Sequence, residues 1–222
     1  MLWWAKPYYL IQKGAVEMAE QVLNDISTLR TSPLAHLQEK ITQGEVSGER
    51  GVKIREIAFT TQVGVRAEPG SAAHAAIASE LGVALPEGVG SVAGATAGIA
   101  VLWLGPDEFL VVAPEDTELV DGLVQALGDE AGQVVDLSAN RTVIELSGPS
   151  AREVLEKGCP ADLHPRSFEI GTAITTTLGP VPLLLWKTGE ETFRLLPRAS
   201  FADYTARWLL DGMLEFAAAP ID

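Results

Sequence analysis

The sequence predicts an α+β protein in which two tandem β-α-β-β-α repeats pack together behind an N-terminal helical arm. Three observations predict it. The first is internal repetition: Gly70 matches Gly148 at an offset of 78, Trp103 matches Trp186 at 83, Phe109 matches Phe193 at 84 and Pro114 matches Pro197 at 83. A fixed period with its drift confined to loops is the mark of a duplicated supersecondary unit. The second is the order of patterns, since alternating apolar runs give way to helical stripes at Gly and Pro in the same sequence twice. The third is composition. A chain of 222 residues, 47% hydrophobic and 21% charged, is an ordinary globular polypeptide, long enough for one large domain or two small fused ones.

Residues 1–52 form the arm and its short helices. Trp3, Trp4, Tyr8 and Tyr9 are clustered there, half of the eight Trp and Tyr residues in the chain. Exposed aromatics grouped in this way make an interface device. Met18 opens an ordinary start, MAEQVLND, so residues 1–17 read equally as an upstream extension. Val22 to Leu29 reads as helical. Thr31, Ser32 and Pro33 begin a short helix from Leu34 to Ile41, and the polar stretch 43–51 is a linker.

The first repeat spans 53–133. A strand from Phe59 to Ala67 places Phe59, Val63 and Val65 on one face. Pro69 and Gly70 break it, Ser71 caps a helix from Ala72 to Leu81, and Gly82 ends that helix. A Gly-rich connection leads to strands Ile99–Leu104 and Phe109–Ala113. A helix over about Thr117–Leu127 follows, with Leu119, Val120, Leu123, Val124 and Leu127 on one stripe. The second repeat, 134–222, does the same. Val134 to Leu146 is strand-rich, Gly148 and Pro149 break it, and a helix runs from Ser150 to Glu156. Strands Val181–Trp186 and Thr192–Leu196 are joined by a turn from Lys187 to Glu191. Ser200 caps a final helix with Phe201, Tyr204, Trp208 and Leu209 at helical spacing, and Asp203 completes a capping-box pair. A further strand in each unit would complete a ferredoxin-like layer, and the two layers cover each other in one domain. Trp103 and Trp186 are core residues on this reading.

Charge and reactive residues exclude several functions. The chain has 16 basic and 30 acidic residues, a formal net charge of −14, with one Cys and three His. So acidic a chain lacks the basic face that phosphate recognition requires, and an anionic membrane repels it. One Cys forms no internal disulfide and no cysteine zinc site. The excess acid is local: residues 63–140 carry 12 acidic residues against Arg66 alone, while 1–62 balance and 141–222 stand at −3. The first repeat is therefore expected to face solvent, with docking through the second repeat or the arm. No run reaches the roughly 20 apolar residues of a membrane span, and the N-terminus makes a poor signal peptide. The expected location is cytoplasmic, with a reduced thiol.

No self-sufficient active site stands out. The glycines from Gly88 to Gly98 precede a strand and follow Pro86, the wrong context for a dinucleotide fingerprint. Gly158 follows Lys157, so no Walker loop exists. Cys159 and His164, five apart, offer a thiol and an imidazole, but no third group stands at recognisable spacing, although Asp162 is near. His36 and His74 have no ligand-type neighbour at helical spacing. The acidic pairs Asp107-Glu108 and Glu190-Glu191 fall in hairpin turns.

Two sets of residues carry a resemblance. Asp136-Leu-Ser138 followed by Gly148-Pro149-Ser150-Ala151 and Leu155 resembles the T-protein (aminomethyltransferase) superfamily. Ser32-Pro33-Leu34-Ala-His36, Arg55-Glu-Ile-Ala-Phe59, Val63-Gly-Val-Arg66, Trp103-Leu-Gly-Pro-Asp-Glu-Phe109 and Asp162-Leu-His-Pro-Arg166 together resemble the gamma subunits of heterotetrameric sarcosine oxidases, over about residues 20–216. The resemblance implies the T-protein-like folate-binding fold and a non-catalytic subunit held by alpha, beta and delta chains, the large alpha chain foremost. It implies that FAD, FMN, NAD, tetrahydrofolate and zinc belong to those other subunits. Trp3, Trp4, Tyr8, Tyr9, His164 and Arg166 are the candidate partner contacts. In the T-protein family a Gly-Gly turn precedes two aspartates that handle the folate amine, whereas here Gly179-Pro180-Val181-Pro182 leads to Leu183 and Leu184. Leucine neither accepts nor positions a proton. A folate-dependent iron–sulfur maintenance factor shares only Lys157-Gly158-Cys159. A stand-alone folate-binding protein or aminomethyltransferase-like enzyme is the alternative reading.

Overall fold

Gly and Pro punctuation divides residues 29–218, the part of the chain that the computed structural model describes, into ten strands and five α-helices. The aromatic cluster Trp3, Trp4, Tyr8, Tyr9, the stretch 1–17 and nearly all of the helix expected from Val22 lie outside the described residues. The unit that begins at Pro33 contains both sheets.

That unit opens with a 3-10 turn, Ala35–Leu37, and helix α1 (Gln38–Gln43), where one helix from Leu34 to Ile41 was expected. The 43–51 linker is partly structured, because Val46 bridges to Val52. β1 (Lys53–Glu56) follows, then β2 (Thr61–Ala67). Phe59 stands outside β2 with a φ of 57°, so the strand begins two residues later than the sequence pattern indicates. Helix α2 (Ala72–Leu81) has the predicted bounds and caps. The Ser71 hydroxyl accepts from the His74 N–H at 3.1 Å, and Gly82 closes the helix at a φ of 62°. The Gly-rich connection yields a short strand, β3 (Val92–Gly94), ahead of β4 (Ala100–Gly105) and β5 (Glu108–Ala113). Helix α3 (Leu119–Leu127) buries Leu119 and Leu123 but leaves Val124 half exposed.

β6 (Gly132–Asp136) and β7 (Ile144–Ser147) occupy the strand-rich stretch at the centre. After them come α4 (Ala151–Glu156), β8 (Ala173–Leu178), β9 (Val181–Gly189), β10 (Thr192–Pro197) and α5 (Ala202–Ala217). The expected cap of the last helix is not formed. A 3-10 turn, Ala199–Phe201, intervenes, and no side chain caps α5. Asp203 instead binds His36 and Arg207, each at 2.7 Å. Lys187, expected in a turn, is a strand residue with 2% exposure.

The two sheets are antiparallel throughout. Their orders are β3-β4-β5-β2-β6 and β1-β7-β10-β9-β8. In the first, β6-β2-β5-β4 is the 4-1-3-2 arrangement of a ferredoxin-like layer, with β6 as the completing strand. In the second, β1 takes the fourth place beside β7. The strand 53–56 thus lies in the sheet of the second repeat, and the strand 132–136 runs across position 133/134 while pairing with β2.

Three apolar layers follow from the period-2 alternation of the strands. Val63, Val65, Val101, Phe109 and Val111 face α2 and α3 on one outer side. Ile144, Leu146, Leu183, Leu185, Phe193 and Leu195 face α1, α4 and α5 on the other. Leu102, Leu110, Val112, Leu184, Trp186 and Leu196 fill the space between the sheets. Each sheet therefore covers one face of the other. Among the described residues no helix is long and apolar enough to cross a membrane.

Candidate functional site

The loop after α4 holds Cys159, Asp162, His164 and Arg166, all singled out in the sequence. Cys159 is buried, and its Sγ lies 3.7 Å from the Thr176 hydroxyl on β8. Asp162 does not serve the thiol. One carboxylate oxygen accepts from the His164 N–H at 2.9 Å and the other from the Ser167 hydroxyl at 2.7 Å. These bonds, the backbone one foremost, hold its carboxyl below the usual carboxylate range. His164 Nδ1 accepts from the Arg166 N–H at 3.2 Å. The structure thus builds a tight polar turn from Asp162 to Ser167. His164 and Arg166 are presented on its exposed surface, and the thiol turns away into the core.

Lys187 anchors the far end of this loop. Its ammonium donates to the Phe168 carbonyl at 3.0 Å and sits 5.9 Å from the centre of the Phe193 ring. Phe168 and Phe193 stack at 6.4 Å. A buried ammonium is retained only where an acceptor meets it, and here a backbone carbonyl does so.

Glu145 on β7 is a second buried charge. It accepts from Arg55 Nε of β1 at 2.7 Å and from Arg194 Nε of β10 at 3.4 Å. Arg194 also donates to the Thr96 carbonyl at 3.0 Å and lies 5.3 Å from the Trp186 ring centre. Burial pulls Arg194 below the ordinary arginine value, and Glu145 opposes the shift. This cluster fastens the Gly-rich connection of the first sheet to the second sheet.

Leu183 and Leu184 stand on adjacent positions of β9 and so point to opposite faces. Each is 2% exposed, Leu183 among the helices and Leu184 between the sheets. Both offer alkyl groups to apolar layers, and neither can accept or position a proton. Trp186 and Trp103 differ from each other. Trp186 is buried between the sheets, and Trp103 is half-buried against the helical layer. Two polar atoms in the buried interior lack a partner among the described residues, Trp186 Nε1 and Gln62 Oε1. Among the described residues no three His, Cys, Asp or Glu side chains are placed to hold a metal ion.

Two ionic pairs are invisible to sequence reasoning because they join distant residues. His36 and Asp203 are 167 positions apart, and Arg55 and Glu145 are 90 apart. Trp3, Trp4, Tyr8 and Tyr9 lie outside the described residues, so the geometry brings them to no site.

The model of the sarcosine oxidase, gamma subunit family matches residues 64–215. The chain is 57% identical over 204 residues to sarcosine oxidase subunit gamma of Corynebacterium sp. (strain U-96), covering 92% of this chain and 100% of that one. It is 58% identical over 204 residues to the subunit of the same description from Arthrobacter sp, with the same coverage. Among solved structures, a chain of the heterotetrameric sarcosine oxidase from Corynebacterium sp. U-96 superposes with a TM-score of 0.86 at 59% identity, over 87% of this chain and 100% of that one. The glycine cleavage system aminomethyltransferase T from Bartonella henselae superposes with a TM-score of 0.60 at 18% identity, over 82% of this chain and 57% of that chain, and shows a shared fold.

Proposed function

The chain belongs to the sarcosine oxidase gamma subunit family, and from that premise we propose that it is a structural, non-catalytic component of a four-chain oxidase. The complex would oxidise sarcosine to glycine with oxygen, giving hydrogen peroxide. The released carbon would become 5,10-methylene-tetrahydrofolate, or formaldehyde where folate is absent. On this reading the alpha, beta and delta chains carry FAD, FMN, NAD, tetrahydrofolate and zinc. The large alpha chain is the main contact, the assembly is cytoplasmic, and the two repeats of this chain act as one domain. His164 and Arg166, presented on the turn fixed by Asp162, belong to the docking face, together with the aromatic residues of the arm.

The observation that carries the non-catalytic role is the pair Leu183 and Leu184. A stand-alone aminomethyltransferase needs a carboxylate there, and both positions are filled by buried alkyl groups. Co-expression with the other three chains tests the proposal. One stable complex is expected, while this chain alone should be colourless and inactive. A soluble chain that never co-purifies with the others would refute the structural role. Tight tetrahydrofolate binding by the isolated chain, measured by calorimetry, would favour the enzyme reading.

A further inference from the structure

Arg141 and Arg198 face each other across an isolated antiparallel bridge. The pairing is held on both sides, by the Thr142 N–H donating to the Pro197 carbonyl and the Ala199 N–H donating to the Asn140 carbonyl. Residues directly opposite in an antiparallel pair have their side chains on one face, with Cβ atoms about 5 Å apart, and like charges so placed repel. The chain has 30 acidic side chains for 16 basic ones, yet among the described residues neither arginine forms an ion pair with any of them. Arg141 is half-buried and donates one N–H to the Leu196 carbonyl at 3.1 Å. Burial and then the neighbouring Arg198 pull Arg141 below the ordinary arginine value.

The same end of α5 carries exposed aromatics. Phe201, the last residue of the 3-10 turn, and Tyr204, in the first turn of α5, are 40% and 46% exposed. Their spacing puts them on neighbouring parts of one face, a turn beyond Arg198. Arginine and aromatic side chains are the residue types enriched at interfaces, and they supply most of the binding energy there. In the isolated chain two like charges thus stand opposite each other beside exposed rings.

We propose that Arg141, Arg198, Phe201 and Tyr204 form a docking surface whose occupant is a carboxylate-bearing face of another subunit of the assembly. The proposal rests on the four-chain reading above. Charge complementarity identifies the occupant: two planar guanidinium forks match carboxylates in bidentate geometry, and among the described residues no carboxylate pairs with them. The adjacent rings favour a protein over a small free anion, because a small anion would leave Phe201 and Tyr204 in water.

Arg198 is exposed, so it can be changed without opening the core. The full chain, wild-type or Arg198→Glu, is co-expressed with the other three subunits, and its retention in the purified complex is measured on dilution and with rising salt. The glutamate variant should dissociate at least about tenfold more readily, and Arg198→Gln by an intermediate amount. Lys40→Glu, the same charge change on α1, should assemble as the wild type does. The melting temperature of the purified full chain should not fall with Arg198→Glu, because the change relieves the repulsion; if it does fall, Arg198→Gln decides. Wild-type assembly together with undiminished assembly of the folded Arg198 variants overturns the docking surface. So does inorganic phosphate raising the melting temperature of the chain while assembly ignores residue 198. Failure of the wild-type chain to assemble overturns the four-chain reading instead.

Discussion

Replacing Glu145 with Gln should destabilise the second sheet, and the structure sets the size of the loss. The carboxylate is 10% exposed and receives two arginines. Arg55 is 66% exposed, so its share lies in the surface range, under about 1 kcal/mol. Arg194 is only 13% exposed. Without the carboxylate it keeps the Thr96 carbonyl and loses its counter-charge. Removing one member of a buried pair costs about 3–5 kcal/mol. Gln retains an acceptor oxygen, and Arg55 links the cluster to solvent, so the low end applies, about 3 kcal/mol. In a domain of this size each kcal/mol moves the melting temperature by about 2–4 °C, so Glu145→Gln should melt about 6–12 °C below the wild type. Thermal unfolding followed by tryptophan fluorescence suits the question, because Trp186 lies against the Arg194 guanidinium. The double variant Glu145→Leu with Arg194→Met removes both charges and should recover most of the loss. A Glu145→Gln melting point within about 2 °C of the wild type would show that the cluster is solvated and the reasoning unsound.

Other changes test other parts of the structure. Leu184→Asp puts an acid back where the T-protein pattern has one, but into a dry layer. It should cost about 3 kcal/mol or more in urea unfolding, and calorimetry should detect no folate binding gained. Gly148 has a φ of 118°, and a Cβ there would meet the Gly51 carbonyl at 2.5 Å. Gly148→Ala should therefore cost about 1–3 kcal/mol, read from the same urea curves. Asp203 is held at about 2, below its ordinary 3.8, by hydrogen bonds from Arg207 and His36. A depressed carboxylate stabilises the fold above its unfolded value and stops doing so as pH falls through its folded one. Asp203→Asn should thus melt below the wild type near neutral pH, with the difference shrinking between pH of about 4 and about 2. A difference that stays constant across that window would remove the ion pair as its cause.

Local signals in the sequence were enough for the elements that have caps and stripes. Ser71 and Gly82 bound α2 because a hydroxyl and a left-handed glycine do the same work in any fold. β3 and β8 had no such signal: one lies within the glycines, the other is a run of threonines without alternation. Ser200 has the chemistry of a cap, but a 3-10 turn takes the place it would need. Lys187 opens the polar run 187–191 and so reads as part of the turn, whereas the Phe168 carbonyl that makes its burial tolerable is visible only in the folded chain. The same holds for Glu145, whose partners come from two other strands. Leu183 and Leu184 gain meaning through the family pattern alone, since two leucines in a strand look like core in any sequence.

The position of β1 has a consequence for biosynthesis. Lys53–Glu56 leaves the ribosome early, but its partner, Ile144–Ser147, is about 90 residues behind it. Chains grow at about 5–20 residues per second, so the strand waits for seconds before any hydrogen-bond partner exists. The edge β7 offers is itself braced by β10, which emerges later still. The second sheet therefore cannot close until nearly the whole polypeptide has been made. Early truncation products carry an orphan strand, Lys53–Glu56, with the hydrogen-bonding groups of an open edge.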